Sequence, residues 1–385
     1  MVEMTRKERL LAAIRFEGPD RVPVFPRMWR YLLKHAGTQK HGAYLAYADE
    51  FGFDPILHYS AGPVHFVPQP GADYQALGPE IRVDERVEQD GQVRVVSRTF
   101  QTPAGRLTDR TRIPPSGGEF GIAPNPHIEE YLVKGPDDLP ALKAVVDANA
   151  AAAQVADFRA ADKELAGRAL AAANTYSALS HNAGDAYPLE QMMIDCFDRR
   201  EFVEELIDVF HAPLLAMTRR ALERGAELVY CSVFFESMSS GWSPQLYSEL
   251  FAPRIRAHVE LVHSAGALYH LYDDGKVAAT LPILRGIGID MLSTVCPPPS
   301  GDVALSKARQ AAGSDVCLNG GIDTVNTIWR GTPESIDAAI REAVAAAATP
   351  AGGYIIGSSD SITEETPPAN FRAFFDAARR HGTPG

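Results

Sequence analysis

The sequence is poor in cysteine, with four in 385 residues. Cys196, Cys231, Cys296 and Cys317 lie far apart, and no CxxC pair occurs, which excludes a zinc ribbon and a thioredoxin-like motif. So few thiols in so long a chain read as buried groups in a reducing compartment rather than as a disulfide framework. Long apolar runs are missing as well. The N-terminal run Leu10 to Ile14 has five residues, where a secretory core needs about seven to fifteen and a membrane span about twenty. The expectation is a cytoplasmic protein without a membrane partner. Positive charge is in deficit: 37 Lys and Arg against 49 Asp and Glu give a net charge of −12. A nucleic-acid binder would want a basic face instead. Neither GxGxxG nor GxxxxGK[ST] is present, so no nucleotide-phosphate loop is expected.

What is present is a rhythm of strand and helix. Short β-rich runs recur at 21–25, 55–60, 169–176, 227–233, 267–272, 289–294, 315–320 and 353–358. Apolar residues at three- and four-residue spacing mark helices at Glu201–Arg220, Pro244–Ala265 and Pro333–Ala347. Pro244, Pro333 and Pro367 are placed in first helical turns, where a missing N–H costs little. The Ala-rich stretch 141–171 is helical by propensity. Length alone allows two or three domains, but repeated strand–helix units without a dinucleotide fingerprint predict one (β/α)₈ TIM barrel spanning 1–385. Residues 82–112 break the rhythm. Alternating polar and β-branched residues around Asp90-Gly91, then a turn at Thr102 to Gly105, predict an antiparallel β-hairpin insertion with a third strand. A Pro/Gly-rich loop, 114–126, follows it.

In a barrel the chemistry sits at the carboxyl ends of the strands. That rule selects Asn174 and Tyr176, Glu236 and Ser237, His270 to Asp274, Asn319 and Asp323, and Asp360. Strand alternation puts His270, Tyr272 and Asp274 on one face. His270, Asp274 and Glu236 are the candidate ligands for zinc or another divalent metal, a hard nitrogen-and-oxygen set, although no compact ligand motif joins them. Glu236 equally reads as a loop salt bridge and Asp360 as a turn residue. Cys231 and Cys317 fall within apolar strands and read as core. Cys296, before three prolines, is expected on an exposed loop.

Several blocks resemble the uroporphyrinogen decarboxylase superfamily, which includes corrinoid-dependent methyltransferases. They are 5–26, EFGFDPI at 50–56, FFESMSSGWSP at 234–244, LNGGIDT at 318–324, GTPESI at 331–336 and GGYIIGSSDSITEETPPAN at 352–370. The resemblance implies the same (β/α)₈ barrel, and a homodimer. Arg27 and Arg30-Tyr31-Leu32 partly match the arginine loop of the decarboxylases, and Ser237 matches a family serine. The decarboxylases' catalytic aspartate falls on Ala61 and their late histidine on Asp360, so porphyrinogen decarboxylation is not expected. The thiol methyltransferases' zinc ligands, His-x-Cys and a distant Cys, fall on Tyr272, Asp274 and Asp360. Carboxylates there favour proton transfer or a harder cation over thiol activation. A third branch, with the same insertion and Asp-Gly in place of Cys-Gly, is the most similar. It implies a demethylase or methyltransferase that passes a methyl group from a small substrate to a corrinoid (cobalamin) protein or a folate. In that reading Asp274, Asp360, Glu236 and Tyr272 carry the catalysis, and Arg27, Arg30, His58, Tyr176, Ser237 and Asn319 bind substrate. The alternatives are a lyase acting on a smaller carboxylate anchored by Arg27, Arg30 and His58, or a binding barrel without catalysis.

Overall fold

The computed structural model describes residues 3–117, 124–177, 179–233 and 235–383. Eleven strands occur among them: β1 (Ile56–Ser60), β2 (Arg82–Asp90), β3 (Val93–Thr102), β4 (Gly105–Ile113), β5 (His127–Glu130), β6 (Leu170–Tyr176), β7 (Leu228–Ser232), β8 (Leu268–Tyr272), β9 (Met291–Val295), β10 (Cys317–Ile322) and β11 (Tyr354–Ser358). The chain groups into two compact units. One holds the residues up to Tyr59, Ala156–Asn174 and those from Ala221 onward; the other holds Ser60–Val155 and Thr175–Arg220.

The first unit is built on a seven-stranded sheet in the order β1-β6-β7-β8-β9-β10-β11. Strands β7 to β11 pair in parallel. The predicted strand at 21–25 contracts to a short stave that closes the ring. On one side Phe25 donates to the carbonyl of Ile356 (2.8 Å), and Ile356 donates to that of Pro23 (2.9 Å). On the other, Asp54 donates its N–H to the carbonyl of Val24 (2.7 Å), and its carboxylate accepts the N–H of Val24 (2.9 Å). Proline at 23 has no N–H to give, and a side chain replaces one backbone acceptor, so the segment pairs over a few residues only. Seven strands and this stave make the expected eight-membered barrel.

Asp54 is fully buried and paired with Arg9 (2.7 Å) and Arg21 (2.9 Å). Arg9 lies on the helix Arg6–Arg15, whose start is fixed by a capping box between Thr5 and Glu8. That helix packs Leu10, Ala13 and Ile14 against Ile56, Leu170, Leu228, Leu268, Met291, Cys317 and Ile355, sealing the amino-terminal end of the barrel strands. Polar chemistry is left to the opposite end.

The second unit contains the insertion. It is a four-stranded antiparallel sheet, β2-β3-β4-β5, one strand larger than expected because His127–Glu130 pairs with β4. Arg98 and Asp109 form a buried ion pair across β3 and β4. Of the predicted loop 114–126, residues 118–123 lie outside the described residues. The Ala-rich stretch is not one helix but two, Leu139–Ala152 and Phe158–Leu165, followed by β6. The break comes where the Asp157 side chain caps the second helix at Ala160. Pro367 precedes its helix, and Pro368 takes the first turn.

Removing a buried partner strands the opposite charges without compensation. Asp54→Ala is expected to destabilise the protein by about 3–5 kcal/mol, read as a lowered midpoint in urea unfolding.

Candidate active site

The carboxyl ends of β8 and β11 bring together the residues that the spacing singled out. The hydroxyl of Tyr272, the last residue of β8, lies 2.8 Å from a carboxylate oxygen of Asp274 and 3.1 Å from one of Asp360. One phenolic hydrogen cannot serve both acceptors at once, so the pair is complete only when a second proton is present. The guanidinium of Arg27 lies over the Tyr272 ring at 4.2 Å, with one nitrogen 3.8 Å from Asp360. Burial holds Asp274 above the usual carboxylate range, opposed by the Tyr272 hydrogen bond, supported by the charge of Asp360 and opposed again by Arg27. Burial also pushes the Tyr272 phenol well up, so it stays neutral. A buried carboxyl whose proton affinity is raised, beside a partly open acidic side chain, is an arrangement suited to general acid catalysis.

The backbone around this group is fixed. Ser358 donates to the carbonyl of Arg27 (3.3 Å) and accepts its N–H (3.1 Å). Thr324 accepts the N–H of Asp360 (3.1 Å) and donates to its carbonyl (3.2 Å). The hydroxyls of Ser237 and Ser239 both donate to the carbonyl of Asp274 (3.3 Å each), and Ser239 accepts the N–H of Lys276 (3.0 Å). Gly275 takes φ +88°, and a Cβ there would sit 2.2 Å from the Ser239 hydroxyl, so this turn needs glycine.

Below lies a polar layer inside the barrel. His58 packs on Tyr230 at 4.2 Å between ring centres, and Tyr230 meets His270 edge-on at 5.0 Å. His270 is buried with Nε2 2.8 Å from the Ser293 hydroxyl. Burial pushes both imidazoles down to about 3, each lowered further by neighbouring positive or imidazole groups, so they are neutral. Nε2 of His58, Nδ1 of His270 and the amide oxygen of Asn174 are shielded from solvent without a hydrogen-bond partner. Buried polar atoms left this way favour a polar ligand that satisfies them.

The other candidates take different places. Asn319 ties the short stave to the sheet, donating to the carbonyls of Phe25 (3.0 Å) and Ile355 (3.2 Å). Arg30 is held by Glu364 through two bonds (2.8 and 3.0 Å), which satisfies its charge. Asp323 caps the following turn through the N–H groups of Val325 and Asn326 (2.8 Å each). Tyr176 belongs to the second unit, where its ring meets His181 at 5.0 Å. Cys296 is buried rather than exposed, and burial pushes its thiol up to about 11, so it is no nucleophile. Glu236 is buried, whereas Phe234 before it lies outside the described residues.

His270, Asp274 and Glu236 are not gathered as a ligand set. Among the described residues, the three groups with ligand atoms mutually within 4.8 Å are His65, His181 and Asp185, all in the second unit. No compact motif announced them. Asp273 lies in the segment the strand-end rule selected but was given no role of its own. Its carboxylate is fully buried and held well above its ordinary range by burial, reinforced by the charges of Asp274, Glu236 and Asp302.

A family model described as uroporphyrinogen decarboxylase (URO-D) matches residues 117–381, more than half of the chain. The chain belongs to the uroporphyrinogen decarboxylase family. Among curated relatives, a uroporphyrinogen decarboxylase from Trichodesmium erythraeum is 25% identical over 48% of this chain and 49% of its own length. A methylated-thiol–coenzyme M methyltransferase from Methanosarcina mazei is 27% identical over 38% of this chain and 36% of its own. The chain thus spans half or less of the curated relatives it matches. A solved structure, a methyltransferase from Methanosarcina mazei, shares the fold at a TM-score of 0.63 and 15% identity, covering 98% of this chain and 99% of that one. The TIM-barrel architecture of this family is therefore the architecture of this chain. Among the described residues, no helix is long and apolar enough to cross a membrane.

Gly275→Ala is expected to cost about 1–3 kcal/mol through the forced turn and to displace Asp274, seen as a lowered melting temperature together with lost turnover. The neutral imidazoles contribute stability that is present above the unfolded value of about 6.5 and is lost as pH falls toward their folded values. A pH series of unfolding curves should show that decline between pH 6.5 and about 3, and His58→Gln with His270→Gln should flatten it.

Proposed function

We propose that this protein is a methyltransferase of the demethylase type, moving a methyl group from a small methylated substrate to a corrinoid protein or a folate. The observation that carries this reading is the Tyr272–Asp274–Asp360 group, in which burial raises the proton affinity of Asp274 beside the solvent-open side chain of Asp360. The kinship with methyltransferases supports the class of reaction. A methyl ether or methylamine is a poor donor until its heteroatom is protonated. In the proposed step the electron pair of the broken carbon–heteroatom bond stays on the heteroatom, which takes the proton of Asp274. The methyl carbon forms its new bond to the acceptor, a second substrate, which supplies the attacking pair. Tyr272 and Arg27 then hold the resulting carboxylate until it is reprotonated. The unpartnered atoms of His58, Asn174 and His270 would orient the polar part of the donor.

The zinc centre of the thiol-specific relatives does not fit these residues. Two of its positions hold carboxylates already joined by the third, the Tyr272 hydroxyl, and no thiolate stands among them. No step is routed through a metal there. The lyase alternative loses one of its anchors, since Arg30 is already neutralised by Glu364.

Incubation with reduced cobalamin or tetrahydrofolate and a panel of methoxyaromatics and methylamines should methylate one of the two acceptors from at least one donor; no methylation of either acceptor by any donor rejects the proposal. Asp274→Asn should lower kcat/KM by about 10²–10⁴-fold. The acid works only while protonated, so the wild-type rate should fall as pH rises through the raised value of Asp274.

A further inference from the structure

From His65, His181 and Asp185 we infer a second site, in the antiparallel unit, that binds a divalent transition-metal ion with coordination positions left open for a small oxygen ligand. It is independent of the proposed methyl transfer. The three residues come from two distant stretches of one compact unit. Nδ1 of His65 lies 3.6 Å and Nδ1 of His181 3.9 Å from the same oxygen of Asp185. Both separations exceed a hydrogen bond. Nδ1 of His65 is nevertheless shielded from solvent and has no hydrogen-bond partner. The two rings lie 5.1 Å apart between centres, tilted by 59°. Two imidazoles thus turn toward one carboxylate oxygen from just beyond bonding distance.

An ion accounts for that spacing. Bonds of about 2.0–2.2 Å at a tetrahedral angle separate two ligand atoms by about 3.3 Å. The observed distances need to close by only a few tenths of an ångström. Two histidines and one carboxylate suit zinc, iron, cobalt or nickel rather than calcium or magnesium, which prefer all-oxygen shells. Three protein ligands leave positions for water or for a carboxylate or phenolate oxygen of a ligand, as in catalytic rather than structural sites.

The surroundings hold the ligands in place. The side-chain amide of Asn149 donates to the carbonyls of His65 (3.1 Å) and Phe66 (2.9 Å), and Asn182 accepts the N–H of Phe66 (3.0 Å) while donating to the carbonyl of Ser177 (3.2 Å). His181 sits at φ +51° inside the π-turn Leu179–Ala183, a conformation rare for a residue with a side chain. Such strain persists where the surrounding structure imposes it and clusters at ligand clamps. Asp185 follows four residues later, on the next short helical turn. Tyr176 places its ring edge against His181, walling one side.

The test uses the full chain, stripped with chelator and titrated with Zn²⁺ and Co²⁺ by calorimetry and visible absorption. One equivalent should bind, and Co²⁺ should give d–d bands of a low-coordinate nitrogen–oxygen site. Asp185→Asn and His181→Ala should weaken binding by more than the 10–100-fold typical of losing an outer partner, while Asp274→Asn and Asp360→Asn leave it unchanged. In the wild-type protein, Zn²⁺ should protect His65 and His181 from diethyl pyrocarbonate, a readout that survives misfolding of any variant. Failure to bind one equivalent, binding abolished by the Asp274 or Asp360 changes instead, or modification of both histidines at full rate in saturating Zn²⁺ would each overturn the inference.

Discussion

The barrel depends on one buried carboxylate. Asp54 accepts the N–H of Val24, pairs with Arg9 and Arg21, and donates its own N–H back to the same stave. On the β1 side of the closing segment the carboxylate adds a second bond to the single backbone bond from Asp54 to Val24. The same contact anchors the N-terminal helix through Arg9. One interaction therefore both closes the wall and fixes the seal at its lower end. Burying Asp54 and Arg9 is costly, and what justifies it is mutual satisfaction: Arg9 also reaches Asp20 (2.5 Å) and the carbonyl of Met4 (2.7 Å).

Above that seal polar groups enter along β7 and β8: Tyr230 and Tyr272 still belong to the apolar cluster with Leu228 and Leu268, but His270 meets Tyr230 edge-on and the Tyr272 hydroxyl reaches the acidic rim. The gradient separates two kinds of group. Histidines in the layer are kept neutral by burial, and burial also raises the proton affinity of the acid at the rim. A single physical cause, desolvation, thus disfavours the charged form of bases and acids alike.

Much of this was legible in the sequence. The β-rich runs located every strand of the barrel wall, and period-two alternation put Tyr272 and Asp274 on one side. Asp360 entered through its place at the exit of the last strand, although a lone aspartate in a Ser-rich turn also read as a turn residue. What stayed hidden depends on partners distant in the chain. Arg30 looked available until Glu364 folded against it. Cys296 looked exposed because prolines follow it, although tertiary packing covers the thiol. Asn319 read as a ligand-facing residue, whereas it braces a stave nearly three hundred residues away. His65 is more than a hundred residues from His181 and Asp185, and a π-turn holds His181 in a conformation no local pattern announces.

The helix that seals the lower end gives the barrel a single mouth. Whatever reaches the polar layer must leave the way it came. For a reaction with two substrates this makes traffic a matter of order. In the proposed methyl transfer, donor and acceptor would then have to share the rim at one moment or occupy it in turn.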